Sequence, residues 1–196
     1  FRRVLFRSVM TLEVFAEVYA DEIAPYAADV CVRLCRSFLD TLRGLADSAS
    51  GTGAASGTFA DDGSSASAAS DENGMKMFKA VSCLETLNTV VGAVHTAPAL
   101  VAHLAETVFV PFFGVVLALS TDLTSDYMDD LVALLQLVTC YAEPLPPALW
   151  GLYAPLLRVV DTYPSAVALL VGPVENLVAK APDAFLADPA RLAALA

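Results

Sequence analysis

Residues 123–141, LTSDYMDDLVALLQLVTCY, decide the fold of this chain. Large apolar side chains recur there every three or four residues, which is the spacing of one face of an α-helix. The members of this stripe are Leu123, Tyr127, Leu131, Leu134, Leu135, Val138 and Tyr141. The segment therefore predicts an amphipathic helix with one buried face.

The same helical spacing continues on both sides of this segment. Apolar stripes predict helices within 9–47, 74–95, 99–119 and 145–161, and prolines punctuate the shorter pieces that follow. In the helix over 99–119, Pro111 and Gly114 predict a kink or a break. No segment alternates apolar and polar residues as an exposed strand would. The sequence thus predicts an all-α fold, an α-α superhelix (HEAT-repeat solenoid) of antiparallel helix pairs. The pairs are drawn at 9–47, 74–119, 122–161 and 164–196.

The composition is apolar and acidic. Apolar residues make up 57% of the chain, which fits either a membrane protein or helices that are covered on several sides. A spanning helix needs about 20 apolar residues in a row, and the best candidate, Val108–Leu119, is shorter and contains Pro111, so stacked helices are favoured. The formal net charge of −11 argues against nucleic acid and favours basic protein partners.

Composition also divides the chain. Residues 1–8, FRRVLFRS, fit nothing that follows and are interpreted as a non-native or unassigned terminus, so the repeats occupy 9–196. Within the repeats, residues 48–73 are rich in Ser, Gly and Ala, with Phe59 as the one large apolar residue. This stretch predicts a disordered acidic loop. Its candidate acidic residues are Asp61, Asp62, Asp71 and Glu72.

Residues that could carry chemistry are few and scattered. The glycines of Gly51–Gly57 have the spacing G-x-G-x-x-x-G and follow a predicted helix, whereas a dinucleotide-binding loop follows a strand. His95 and His103 have no acidic neighbours that would complete a metal site. The cysteines show no metal-binding spacing either, and are interpreted as buried reduced thiols: Cys31, Cys35, Cys83 and Cys140. We expect no catalytic, cofactor or metal site, and hence no enzyme.

A group of aspartates is the most notable surface feature. Asp122, Asp126, Asp129 and Asp130 are spaced i, i+4, i+7 and i+8, so a continuous helix would place them on one face. This face is either a solvated helix start, where the helix dipole favours acids, or an acidic patch that contacts basic segments of a partner.

Several segments together resemble a known family. They are EVYADEIAPYAADVCVRLCRSF (17–38), the acidic loop, AVSCLETLNTVVGAV (80–94), and the prolines and tryptophan around Pro146 and Trp150. In this order they resemble the importin-β superfamily of nuclear transport receptors, which are HEAT-repeat solenoids. They are most similar to the branch of importins seven and eight. The resemblance extends over about 11–196, although the loop is less acidic than in that family.

The resemblance implies a fragment of a receptor that shuttles between nucleus and cytoplasm and passes the nuclear envelope. Its implied partners are basic protein cargo, Ran GTPase and phenylalanine-glycine nucleoporins, with no nucleic acid, membrane or cofactor. In the family the main Ran-binding surface lies in N-terminal repeats that this sequence does not contain. Two alternatives are a non-transport scaffold for protein–protein interaction and a membrane-embedded helical bundle.

Overall fold

The computed structural model of the protein describes residues 20–51, 65–119 and 121–193. These residues form helices and connecting turns without a strand, which confirms the predicted all-α class. The α-helices are α1 (Ala20–Gly51), α2 (Ser65–Ala93), α3 (Pro98–Leu104), α4 (Val110–Val116), α5 (Thr121–Thr124), α6 (Met128–Tyr141), α7 (Tyr153–Thr162), α8 (Val167–Lys180), α9 (Pro182–Leu186) and α10 (Pro189–Ala193). Short 3₁₀ segments lie at Val94–Thr96, Ser125–Tyr127, Pro147–Leu152 and Pro164–Ala166.

The long helices form three antiparallel pairs. α1 and α2 pack along their lengths, with the Lys76 Nζ donating to the Ser48 Oγ at 3.3 Å near one end of the pair. The helix that contains α3 and α4 pairs with α6, and the backbone N–H of Glu143 donates to the Pro98 oxygen at 3.3 Å. α7 and α8 are joined by the short turn at Pro164–Ala166.

This pairing corrects the predicted one. The sequence predicted one helix pair within 74–119 and another within 122–161. These would join α2 to α3–α4 and α6 to α7. Instead, α2 packs most extensively against α1, on the other side of residues 52–64. The reason is that α1 and α2 carry apolar stripes long enough to cover each other, so the acidic insertion separates the two helices of one pair and not two pairs.

The second helices of the pairs form one layer in which neighbours run in the same direction. Asn88 of α2 donates from Nδ2 to the backbone carbonyl oxygen of Asp130, at the start of α6, at 3.3 Å. Further along both helices, the rings of His95 and Tyr141 lie 5.3 Å apart. Because both contacts advance together along the chain, α2 and α6 are parallel.

α8 continues this layer beside α6. Asn176 of α8 donates to the Gln136 oxygen at 3.3 Å, and Lys180 donates to the Ala142 oxygen at 3.0 Å. The first helices form the other layer, where Phe38 of α1 meets Phe112 of α4 edge to face with ring centres 5.6 Å apart. Two layers of paired helices that repeat in the same order are compatible with the predicted superhelix.

The predicted helix over 99–119 runs as one helix from Pro98 to Val116. Its middle, Ala105–Phe109, is a π-helical turn that joins α3 to α4. Pro111 has no N–H to donate to the carbonyl one turn earlier, and the wider turn accommodates the proline without ending the helix. The break predicted at Pro111 and Gly114 is therefore a local widening.

Two stretches meet the length and hydropathy of a membrane span, namely Asp71–Thr96 and Pro98–Val116. The second starts earlier than the apolar run found in the sequence, because it includes His103 and Glu106. In the most apolar 18 residues of each stretch, 39% of the residues are buried inside the protein in the first and 50% in the second. A buried core helix meets the same criteria, so neither stretch by itself identifies a membrane protein.

The loop predicted at 48–73 is helical over 48–51 and 65–73, and the residues between lie outside the described structure. α1 continues to Gly51 and α2 begins at Ser65, so Asp71 and Glu72 lie on a helix. One reason is that Lys76, four residues after Glu72, pairs with its carboxylate at 2.8 Å and supports this turn. Asp61 and Asp62 lie outside the described residues.

Candidate functional site

The predicted aspartate face is divided among three elements. Asp126 lies in the 3₁₀ segment Ser125–Tyr127 and is exposed. Asp129 and Asp130 form the first turn of α6, where Asp129 is exposed and Asp130 is half-buried. Asp122 belongs to α5, and its side chain lies outside the described part of the structure.

The continuous helix predicted over 123–141 is therefore wrong in its first turns. Thr124, just before the 3₁₀ segment, has φ −105°, and Tyr127, its last residue, has φ −112°. A 3₁₀ helix has three residues per turn, so the α-helical spacing of the aspartates holds only within α6. Contact of these aspartates with basic segments of a partner stays a prediction.

A carboxylate from another helix joins Asp129 and Asp130. Burial raises the pKa of Glu85 on α2, and the Asp130 carboxylate raises it further. Burial also raises the pKa of Asp130, with a second contribution from the charge of Asp129. We call these three residues the acidic end; they lie on the facing turns of α2 and α6, where Asn88, one turn after Glu85, donates to the backbone oxygen of Asp130. Sequence periodicity missed Glu85, because spacing along one helix carries no information about its neighbour.

The acidic end has no cation of its own among the described residues. The ion pairs of the described residues lie elsewhere and join Asp29 with Arg33, Asp40 with Arg43, Glu72 with Lys76 and Asp188 with Arg191. Carboxylates that are partly buried near one another repel, and each is stabilised when a positive group approaches. The acidic end is consequently a favourable contact for a lysine or arginine from another molecule.

A groove begins one helical turn beyond the acidic end. It has a volume of about 460 Å³ and is mostly apolar. We call it the α2–α6 groove, and its lining residues are Asn88, Ala133, Gln136, Leu137, Cys140 and Tyr141. Asn88 follows Glu85 by three residues, and Ala133 follows Asp130 by three, so the groove and the acidic end are contiguous on both helices.

The cysteines fall into two groups. Cys31, Cys35 and Cys83 are buried between α1 and α2, whereas Cys140 is exposed in the groove. The interpretation of all four as buried thiols is thus wrong for Cys140, which occupies the solvent side of the α6 stripe.

The histidines serve no shared site. His95 donates from Nδ1 to the Gly92 oxygen at 2.6 Å and its ring contacts that of Tyr141 at a tilt of 47°, and His103 is exposed on α3. Among the described residues, no group of three or more His, Cys, Asp or Glu side chains is arranged to hold a metal ion.

The fold and the groove define a helical-repeat protein whose surface features suit protein–protein contact. This chain is 26% identical over 184 residues to a probable importin-7 homolog of Dictyostelium discoideum. The alignment covers 92% of this chain but spans only 14% of that relative. No protein-family model matches the chain, and no solved structure matches it. The similarity supports an importin-like relationship.

Proposed function

We propose that this chain is a segment of a nuclear transport receptor of the importin kind, which carries protein cargo through the nuclear pore in a Ran-dependent way. The observation that carries the proposal is the similarity to a probable importin-7 homolog over 92% of the chain. The stack of paired helices supports it, because a superhelix of this kind offers extended surfaces for binding. The proposed role is that of a carrier and not of an enzyme.

The charge distribution supports basic proteins as cargo. The chain has 22 acidic and 11 basic residues, and the acidic end lacks a cation within the described structure. Such a surface attracts basic partners over a distance set by the salt concentration. Asp126, Asp129 and Asp130 with Glu85 are the proposed contacts, and Asp122 is included on sequence grounds. Ran GTPase and phenylalanine-glycine nucleoporins are the other proposed partners.

The full-length protein that carries this segment provides the test of transport. The expected results are binding to Ran-GTP and to phenylalanine-glycine repeats, and shuttling of a fluorescent fusion between nucleus and cytoplasm with a rim at the nuclear envelope. Because transport receptors release cargo when Ran-GTP binds, added Ran-GTP should also elute bound basic cargo. A protein that binds neither Ran-GTP nor the repeats would instead be a scaffold for protein–protein interaction.

Charge reversal tests the cargo contacts separately. Replacing Asp126, Asp129 and Asp130 by lysine should weaken binding of basic cargo at low salt by about tenfold, because charged contacts of this kind set much of the encounter rate. The matched control replaces three exposed acids on other elements, Glu143, Asp161 and Glu175, and changes the net charge equally. Equal loss in both variants would show a general charge effect and no defined contact.

A further inference from the structure

The α2–α6 groove combines an apolar lining with one charged end. Ala133, Leu137 and Tyr141 follow one another at four-residue spacing along α6 and line its length. The distance from Asp130 to Tyr141 along the helix is about 16 Å, at 1.5 Å per residue. A bound helix of about three turns, or a shorter extended segment, spans that distance. The volume of the groove is also in the range typical of binding sites.

The two ends of the groove differ in charge. Glu85, Asp129 and Asp130 lie at one end, and the contacting rings of His95 and Tyr141 lie at the other. Since α2 and α6 are parallel, each end is built from residues of both helices. A bound segment is therefore oriented by its charge, with its positive group at the acidic end.

Asn88 marks the boundary between the two parts. Its Nδ2 donates to the backbone oxygen of Asp130, while its Oδ1 is buried and has no hydrogen-bond partner in the structure. A buried acceptor without a donor costs about 1–3 kcal/mol. Because Oδ1 is covered by the protein, a bound segment does not reach it, and the contribution of Asn88 is to hold α2 against α6 at this boundary.

We propose that the α2–α6 groove binds a short segment of a partner protein, whose apolar side chains pack along α6 and whose single lysine or arginine pairs with Glu85 and Asp130. Charge identifies the occupant: a second copy of this chain, with a net charge of −11, would be repelled, whereas a basic segment is attracted. The inference deepens the proposed cargo contact and rests on it, because Glu85 and Asp130 belong to both; it does not depend on Ran or on the nuclear pore, since a scaffold would use the same groove.

A peptide selection tests the proposal even while the partner is unidentified. A library of random dodecapeptides is selected on the 196-residue chain, and each enriched peptide is tested for shielding Cys140 from a thiol reagent. Cys140 lines the groove and is exposed, so shielding places the peptide there. We expect the shielding peptides to carry a lysine or arginine three or four positions from an apolar residue.

Two variants then separate the charged from the apolar contribution. The double variant Glu85→Gln and Asp130→Asn should weaken these peptides by about tenfold, a loss expected for a partly buried charge pair. It should leave peptides with glutamine in place of the basic residue unchanged. Ala133→Glu should weaken both kinds of peptide by blocking the lining. Glu175→Gln, at an exposed carboxylate of α8, is the matched control and should change neither.

Three results would overturn the proposal. They are a selection in which no enriched peptide shields Cys140, shielding peptides without a basic residue, and equal affinity for the double variant and the unaltered chain. Thermal melts of each variant show that it is folded, and the loss of a groove carboxylate is expected to leave the fold intact. Failure of Ran-GTP binding would contradict the transport function and leave this groove unaffected, so the two proposals fail separately.

Discussion

Phe38 joins the first helix pair to the second. It is fully buried on α1, and its ring lies edge-on to Phe112 of α4 and to Tyr127, each with ring centres 5.6 Å apart. Edge-to-face aromatic pairs add to the stabilisation that burial alone provides. The junction between pairs therefore depends strongly on this one side chain.

Phe38→Ala should lower the free energy of unfolding by about 3–5 kcal/mol, because it removes a buried ring and leaves a cavity. Urea denaturation followed by far-UV circular dichroism measures the loss. Leu186→Ala is the control, since Leu186 is 62% exposed and its removal leaves no cavity. Similar losses in the two variants would contradict the assignment of Phe38 to the core.

The thiols should differ sharply in reactivity. Burial raises the pKa of Cys31 to about 12 and also raises that of Cys35, so both remain protonated at neutral pH. Cys140 is exposed. In the native protein a thiol reagent should modify Cys140 rapidly and Cys31, Cys35 and Cys83 only on unfolding. Mass spectrometry of the labelled protein checks this, and Cys140→Ser should abolish the rapid phase. Rapid labelling of a second cysteine would be inconsistent with the structure.

At the scale of single residues, the sequence predicted which side chains are buried better than it predicted the site. The stripe residues Leu131, Leu134, Leu135 and Val138 are all buried, because periodicity within one helix defines its inner face. Glu85 escaped notice because its significance comes from Asp130, which is far away in the sequence. Cys140 was misassigned because a cysteine's burial depends on what the neighbouring helix covers.

Between elements, α8 completes the end of α6. Lys180 donates to the backbone oxygens of Cys140 and Ala142, and Asn176 donates to Thr139 Oγ1 at 3.1 Å. The last carbonyls of a helix have no partner within that helix and carry partial negative charge. A lysine from the next helix satisfies both requirements, so α8 caps α6 across the layer.

Lys180→Met should lower the free energy of unfolding by about 1–2 kcal/mol, because it removes the charged donor and keeps the length of the side chain. The matched control is Lys79→Met, at an exposed lysine of α2. Chemical denaturation of both variants gives the comparison. A loss that is no greater than in the control would mean that Lys180 does not cap α6.

The contact between α2 and α6 should weaken as the pH rises. The raised pKa values of Glu85 and Asp130 mean that the folded protein holds these protons more tightly than the unfolded chain. Between the ordinary carboxyl pKa near about 4 and the raised values, the folded state binds more protons. The free energy of unfolding therefore falls as the pH rises through this window, and the contribution is present in full only below it.

Glu85→Gln removes one of the two titrating groups. It should raise the melting temperature by about 1–3 °C at pH 7 and leave it nearly unchanged at pH 4. The difference between variant and unaltered chain, measured by thermal melts across this range, isolates the group from all other carboxyls. Glu175→Gln serves as the control. A variant that is less stable at pH 7 would show that Glu85 makes a favourable contact instead.

At the scale of elements, the sequence predicted most helices but not their partners. Apolar stripes and prolines placed the start of α3 to within one residue and the end of α6 at Tyr141. The 3₁₀ turn at Ser125–Tyr127 was missed because its residues also fit an α-helical stripe. The partners of each helix were misassigned because periodicity gives the buried face of a helix and not the helix that covers it.

For the whole molecule, the order of pairing decides which shortened chains fold. α6 contacts both α2 and α3–α4, so it completes the second pair and also the layer of second helices. Leu87 and Val91 belong to the buried core and lie on α2, whose most extensive contact after that with α1 is with α6. Removing α6 would thus uncover two pairs at once.

We expect a chain that ends at residue 145 to melt cooperatively and one that ends at residue 119 to lose cooperativity. The first keeps two complete pairs, and the repeats of a helical stack need only their nearest neighbours. The second ends between the two helices of one pair, although the sequence alone placed a pair boundary there. Circular dichroism melts of both chains, at equal concentration and in low salt, make the comparison. A longer chain that melts no more sharply than the shorter one would favour the pairing predicted from the sequence, in which residues 74–119 form a unit of their own.

The exposed faces of α4 and α6 should make the longer chain associate at high concentration, because they remain apolar without α7 and α8. The melts are therefore compared at several dilutions, where a genuine pair keeps its cooperativity and an aggregate does not.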